Sequence, residues 1–317
     1  MKFNFRKVGY YALLVSALSY SADVFAQEGV INTINVKNTK ELHDFFKYTG
    51  KDIPIVSGHR GGNEMGFPEN SIATFENTLT YLPSFFEIDP RLSKDSVIVL
   101  MHDATLNRTT NGKGKVSDYT LAELKKLQLK DVDGKLTNYQ IPTLQEAIEW
   151  ARGKTILSLD YKGVPFNMTA DLVTKLKAAH FVIVGLHNME QAKIYLTRDN
   201  GFLFASKIIE QRKLDELKSA GIPLNQIMAY VGSEYKTESK DLYKTINANG
   251  MMVMVAAAPI YDKLKTEAER KAAYQQLIKG GINIIETDLP IETAKAIKEL
   301  MPAKSPKLKY FGKQKIN

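Results

Sequence analysis

Residues 53–61, Ile-Pro-Ile-Val-Ser-Gly-His-Arg-Gly, and residues 85–89, Phe-Phe-Glu-Ile-Asp, are apolar runs that each end in a charged cluster. A third run, Val97-Ile-Val-Leu-Met101, ends the same way in His102-Asp103. Short apolar runs bounded by polar residues read as buried strands. Three strands that deliver His59, then Glu87 with Asp89, then His102 at their C-terminal ends point to one shared site. Glu87 and Asp89 stand at i and i+2 on one face of a strand, so both carboxylates can grip one hard cation. Histidines flanking that cation are suited to act as general acid and general base.

Outward from these segments the chain keeps one rhythm. Strand-like runs occupy 53–59, 85–89, 155–160, 181–186, 202–205, 226–231, 251–256 and 282–288, with helix-like stretches between them. Strands alternating with helices at this spacing imply parallel pairing through βαβ units. Eight such units predict an α/β fold, a (β/α)8 TIM barrel, in preference to a doubly wound open sheet. Residues 39–48 read as a lead-in helix after a linker at 27–38. The interval 90–154 is too long for one helix, and a small inserted cap is expected after the second barrel strand, at about 103–142. An insertion there falls on the C-terminal face, where barrel active sites form.

Residues 1–26 read as a signal peptide, with a basic start at Lys2, Arg6 and Lys7, an apolar stretch from Tyr10 to Ser21, and Val24-Phe25-Ala26 before a cut. The barrel domain is then 27–317. The chain has no cysteine, and export without disulfides fits a bacterial envelope, so a periplasmic or secreted enzyme is expected. The net charge is +8, of which +2 belongs to residues 1–26 and +5 to the lysines at 304, 307, 309, 313 and 315. The remaining body carries only +1, and no nucleic-acid partner is indicated. The basic tail is expected to be a solvated, frayed end, with weak contact to an anionic envelope as the alternative.

Asp160 adds a third acid at the end of the third barrel strand. Three carboxylates without cysteine suit one divalent cation, Ca2+ or Mg2+, better than zinc. Arg60 and Lys162 provide the positive charge that a phosphate-centred reaction requires as charge shifts onto the nonbridging oxygens. The plainer readings are a strand-end salt bridge for Asp160 and simple pairing of Lys162 with one of the acids. His43 and His180 read as surface residues, His187 stands where it could face the pocket mouth, and Trp150 reads as a helix residue packed on the barrel.

Taken in order, several segments resemble the glycerophosphodiester phosphodiesterase family. They are His59-Arg-Gly, Pro68-Glu-Asn-Ser, Glu87-Ile-Asp-Pro-Arg-Leu-Ser-Lys-Asp95, Val97 through His102-Asp103, Leu106-Asn-Arg-Thr-Thr-Asn-Gly, Ile141-Pro-Thr-Leu144 and Thr287-Asp-Leu-Pro290. The resemblance implies a capped (β/α)8 barrel, a divalent metal, and hydrolysis of a small phosphodiester to an alcohol and glycerol 3-phosphate. It makes His59 and His102 the acid/base pair, and Glu87, Asp89 and Asp160 the metal ligands. Arg60 and Lys162 would hold the phosphate, with Glu69 supporting the site. Either metal-activated water or a neighbouring substrate hydroxyl could attack first, the latter through a cyclic phosphate.

One departure concerns the metal. Where the family usually shows Glu-x-Lys, this chain reads Asp160-Tyr-Lys162. The missing methylene draws the carboxylate back by about 1.5 Å, one C–C bond. Strand four also ends Gly185-Leu-His187 and strand seven lacks the family's frequent Trp, so the pocket wall is this chain's own. A phospholipase D-like or phosphoinositide-type lipid enzyme is one alternative. The insert between Leu106 and Leu144 shows no strong apolar cluster in sequence, which tilts against it. A non-catalytic barrel binding protein is the other alternative.

Overall fold

The computed structural model describes residues 29–316, so the expected signal peptide at 1–26 lies outside the described residues. Strand β1 (Val30–Ile34) and helix α1 (Thr39–Phe46) precede the first barrel strand, β2 (Ile55–His59), and α2 (Ile72–Tyr81) leads to β3 (Phe85–Ile88). A hairpin of β4 (Pro90–Leu92) and β5 (Ile98–Leu100) opens the insert, which runs through α3 (Leu121–Leu124) to α4 (Leu144–Ala151). Strand and helix then alternate: β6 (Leu157–Leu159), α5 (Phe166–Lys175), β7 (Val182–Leu186), α6 (Met189–Leu196), β8 (Leu203–Lys207) and α7 (Gln211–Ser219). The series continues with β9 (Ile227–Tyr230), α8 (Lys240–Ala248), β10 (Val253–Ala256), α9 (Glu267–Lys279), β11 (Ile284–Thr287), α10 (Pro290–Ile297) and a last strand, β12 (Phe311–Lys315).

Strands β2, β3 and β6 to β11 close into one barrel of parallel neighbours, in sequence order. Runs such as Val182-Ile-Val-Gly-Leu186 are apolar on both faces because one face fills the barrel and the other meets a helix. Register decides what can meet at the mouth. His59 lies opposite Glu87, Glu87 opposite Ser158, and Glu286 opposite Ser57. Side chains at or two residues beyond these positions therefore stand on the same face at the C-terminal rim.

The cap has a small core of its own, built from Val99, Met101, Leu106, Val116, Leu124, Leu129 and Ile141. The Ile-Pro-Thr-Leu segment joins that core to the barrel. Ile141 is buried in the cap, Pro142 accepts a 2.9 Å hydrogen bond from Leu100 N, and Leu144 is buried in the barrel core. Thr143 caps α4 in a reciprocal box with Glu146, which fixes where the chain re-enters the barrel.

Both chain ends depart from expectation. The expected linker at 27–38 contains β1, and the expected frayed tail contains β12; the two pair antiparallel from Val30↔Lys315 to Ile34↔Phe311. Ile31 and Ile34 are buried beneath this ribbon. It continues into α1, whose Phe46 ring meets Phe85 edge-on at 5.5 Å at the start of β3, so the terminal ribbon and α1 cover the barrel's N-terminal end. Lys307 is no solvated tail charge. It is 1% exposed, its ammonium donates to the Phe45 and Lys47 carbonyls, and it pairs with Asp52 at 3.1 Å. Replacing Lys307 by Ala would leave Asp52 buried without its cation. The Lys307→Ala protein is expected to lose about 3 kcal/mol of stability in denaturant titration, since breaking one side of a buried pair costs that order.

Candidate active site

The turn after β2 sets the first part of the site. Arg60 adopts a left-handed backbone with φ of 53°, and Gly61 follows at φ 98°. A Cβ on Gly61 would meet Thr74 at 2.7 Å and Phe75 at 2.8 Å, so the sharp turn in His-Arg-Gly requires glycine there. The turn points the Arg60 N–H at Glu87 Oε2, 3.2 Å away, and leaves His59 Nε2 3.9 Å from the same oxygen.

His59 Nδ1 lies 2.7 Å from Asp288 Oδ1, one residue past β11. A carboxylate only accepts, so Nδ1 carries the proton and Nε2 is the atom left to exchange one. Burial works against the imidazolium, yet the Asp288 hydrogen bond and the neighbouring Glu286 outweigh it and raise the His59 pKa above its usual value. Asp288 is held in turn: its backbone N–H donates to buried Asp262, which also accepts from Thr287 and Tyr274. His102 repeats the pattern on the cap, with Nδ1 2.8 Å from Asp103 Oδ1. Its carbonyl is clamped by the Arg91 guanidinium at 2.5 and 2.9 Å.

Between the histidines, one oxygen each from Glu87, Asp89 and Asp160 lie within 4.8 Å of one another. Asp89 is fully buried and gripped by Asn70, which donates to Oδ2 at 2.6 Å and accepts from the Asp89 N–H at 3.0 Å. Burial opposes its charge, but Lys162, the Asn70 hydrogen bond, Arg60 and the nearby His102 hold its pKa below the usual value. Glu87 goes the other way: burial first, then repulsion from Asp89, Glu286 and Asp160, raises its pKa well above normal. Carboxylates crowded in this way are stabilised by a cation between them. Asp89 Oδ1 supports that fit, being buried without a well-aligned hydrogen-bond donor, although Lys162 Nζ stands 3.1 Å away.

Despite its shorter side chain, Asp160 reaches the cluster, and it pairs with Lys162 at 2.5 Å. Lys162 therefore pairs with two acids. Arg60 Nε lies 3.5 Å from Asp89 Oδ2 without a hydrogen bond, a buried N–H available to an anion. Glu69 supports two arginines: Arg60 Nη1 at 3.3 Å and Arg108 in a bidentate pair at 2.7 and 2.8 Å. Arg108 also bridges to Asp103, and this hydrogen bond foremost pulls the Asp103 carboxyl well below its ordinary range. The cap is thus tied to the barrel through charge-assisted hydrogen bonds that end at His102.

Sequence reasoning missed three site residues. Asn70 is buried in a left-handed conformation at φ 55°. Glu286 on β11 and Asp288 just past its end stand at the same i and i+2 spacing that marks Glu87 and Asp89. Burial and surrounding carboxylates, partly offset by His59, push Glu286 up to about 7. Of the remaining histidines, His43 binds the Gly201 carbonyl at 2.8 Å, and exposed His187 has its ring 5.3 Å from Tyr161. Trp150 packs on Phe75 and donates to Glu76 at 3.2 Å.

Residues 59–271 match the Glycerophosphoryl diester phosphodiesterase family. A glycerophosphodiester phosphodiesterase from Caldanaerobacter subterraneus subsp. tengcongensis is 41% identical over 104 residues, 32% of this chain; the chain spans 42% of that relative's length. The crystal structure of a glycerophosphoryl diester phosphodiesterase from Parabacteroides distasonis is 48% identical with a TM-score of 0.88, over 90% of this chain and all of that one. A phosphodiesterase from Oleispira antarctica, in complex with the product sn-glycerol-3-phosphate, shares the fold at 22% identity and a TM-score of 0.59, covering 78% and 97% of the two chains. With more than half of its length matched, carrying His59, His102, Glu87, Asp89, Asp160 and the cap, this chain belongs to the glycerophosphoryl diester phosphodiesterase family.

Proposed function

We propose that the protein hydrolyses glycerophosphodiesters to an alcohol and glycerol 3-phosphate with one divalent cation bound. The observation that carries this reading is the pair of histidine–aspartate couples, His59–Asp288 and His102–Asp103, flanking a three-carboxylate cluster. Family membership supports it.

Glu87, Asp89 and Asp160 would hold the cation, and all-oxygen donors favour Ca2+ or Mg2+. When bound, that ion would neutralise phosphate charge and lower the pKa of an attacking oxygen. The chain's own residues do the rest. Arg60 offers its unpaired Nε–H to a nonbridging oxygen. Lys162, held by Asp89 and Asp160, adds positive charge beside it. His59 and His102 present Nε2 for proton transfer, one taking a proton from the attacking hydroxyl or water and the other giving one to the leaving oxygen. The same assignment serves direct attack by water and attack by a substrate hydroxyl through a cyclic phosphate.

Alcohol and glycerol 3-phosphate release should be followed on a panel of glycerophosphodiesters, after EDTA treatment and again with Ca2+ or Mg2+ restored. Cation-restored turnover is the expected result. No release from any diester with either ion would overturn the assignment and leave a binding barrel. Asp288→Asn keeps the shape but replaces the charged acceptor that orients His59 by a neutral amide; it is expected to lower kcat about 10- to 100-fold with little change in KM, because its role is positioning.

A second reading has one observation in its favour. Contrary to the sequence expectation, the insert exposes apolar side chains: Val132 at 53%, Leu136 at 46% and Tyr139 at 40%, with Met65 at 74% on the β2–α2 loop. The Gly66 N–H donates to Asp131 at 2.9 Å and Phe67 stacks on Tyr139, so loop and insert meet. An apolar rim would suit an intact lipid. Comparing release from deacylated and intact lipids decides between the two substrates. Export is likewise proposed on the pattern of residues 1–26, and N-terminal sequencing of the secreted protein tests it.

A further inference from the structure

One surface of the insert has no part in the phosphate chemistry. Short segments lie side by side there: Thr110 bridges to Leu129, and Lys130 bridges to Leu136. A tight turn over residues 131–135 joins the last two. In it the Asp131 N–H donates to the Lys135 carbonyl and the Gly134 N–H to the Asp131 carbonyl, both at 2.9 Å. Residues 132–136 are all exposed, so the turn protrudes. The Asp131 carboxylate faces inward, held by the backbone N–H groups of Gly66, Asp133 and Lys135. The Gly66 bond brings Met65 up beside the turn. Further along the same loop, Glu69 holds Arg60 and Arg108, so this surface borders the active-site mouth.

Two properties coincide here. The tips are apolar: Met65, Val132, Leu136 and Tyr139 all reach solvent, a grouping that marks an interaction site. The ground around them is basic. Residues 107–140 hold seven Lys and Arg against four Asp and Glu, a net +3. Residues 27–303 as a whole carry only +1, so the rest of that body is negative. Lys135 is exposed on the turn itself, and Lys113 and Lys115 are exposed in the loop after the Thr110 segment. Neither Lys113 nor Lys115 forms a salt bridge among the described residues. Asp133 is the one exposed acid of the turn and is outnumbered by these lysines. A protein partner would need a counterface shaped to a protruding turn. A bilayer needs none: it takes apolar tips into its headgroup layer and sets lipid phosphates beside lysines.

We propose that the 131–136 turn and the Met65 loop dock the protein on the surface of an anionic lipid bilayer. Val132, Leu136 and Met65 enter the headgroup layer, and Lys113, Lys115 and Lys135 lie against the lipid phosphates. Tyr139, stacked on Phe67 where loop and insert meet, has the ring and hydroxyl that suit the membrane–water boundary. The docking does not depend on the phosphodiesterase reading, because its residues lie outside the carboxylate cluster and the contact is measured without turnover.

The test is cosedimentation of the full chain with vesicles of phosphatidylcholine alone or mixed with phosphatidylglycerol. It compares the wild type with two double variants, Val132→Ser with Leu136→Ser and Lys113→Glu with Lys135→Glu. All share residues 1–26, so any contribution of that stretch is common to them. The wild type is expected to bind the mixed vesicles at least about twentyfold more tightly than phosphatidylcholine, at about fivefold per lysine, and high salt should erase the preference. The glutamate pair should remove that preference and leave binding to phosphatidylcholine as it was. The serine pair should weaken binding to both vesicles about tenfold, from the apolar surface no longer buried. Denaturant melts should match the wild type, because every substituted side chain is exposed. No binding to mixed vesicles, or binding that survives either double substitution unchanged, would overturn the docking. Self-association of the wild type that the serine pair abolishes, without vesicle binding, would give this face to a second copy and overturn it too. Vesicle binding as expected in a protein that turns over no diester would leave the docking in place and remove only the phosphodiesterase reading.

Discussion

His59→Ala is expected to lower kcat by about 10^3-fold at saturating cation while the protein stays folded, within the 10^2- to 10^4-fold range of a general acid or base. The imidazole is half-enclosed, so its loss removes the group that exchanges a proton without opening the barrel core. Its neighbours make the effect specific. Asp288 fixes one nitrogen and Glu87 stands 3.9 Å from the other, so the imidazole is held at a defined place beside the cluster. A double-mutant cycle sharpens the test. Because Asp288 is argued to act through His59, Asp288→Asn should cost little once His59 is gone. Steady-state rates on one diester suffice. Additive losses would mean that Asp288 acts on the substrate or the cation directly, and a fully active His59→Ala would remove the histidine from the mechanism.

Asp89→Asn is the second large effect. The substitution is isosteric, but the carboxylate is wholly buried, accepts from Asn70 at 2.6 Å and faces both Lys162 and Arg60. An amide there turns its NH2 either toward Asn70 and Arg60 or toward Lys162, and each choice sets donor against donor. Cation affinity should fall at least about a hundredfold, more than outer partners usually command. Stability should drop by roughly 2–3 kcal/mol as buried partners go unmet. Calorimetric titration of the cation and a denaturant melt measure the two separately. Unchanged affinity in a folded Asp89→Asn protein would exclude this carboxylate from the cation site.

The barrel was legible because its strands are apolar on both faces and its helices recur between them, a pattern that burial imposes on sequence. The main site residues were legible for a related reason: a charged residue that ends an otherwise apolar strand has few places to be except the rim. Asp288 and Glu286 carried that same signal, at the same spacing as Glu87 and Asp89, and a stricter use of strand alternation would have found them. Asn70 could not be found that way. Its role depends on a left-handed backbone and on an aspartate 19 residues away that only the folded turn brings within reach. The ribbon of β1 and β12 was hidden for a third reason. Phe-Gly-Lys-Gln-Lys shows little strand character, and its partner lies at the other end of the chain. Lys307 was misread because lysine is almost never fully buried unless paired, and its partner Asp52 sits in a distant loop.

The pairing of β1 with β12 also orders events in time. During synthesis β1 is the first described element to leave the ribosome and β12 the last, so the earliest strand waits unpartnered until every other described element has been made. Every barrel strand can already have found its neighbours by then, since β11 closes on β2 without the final residues. Until β12 arrives, Ile31 and Ile34 lack its cover, and the barrel's N-terminal end stays open to proteases and to other chains. Closing this ribbon therefore joins segments about 280 residues apart and costs a long loop closure, which makes it a late step in folding.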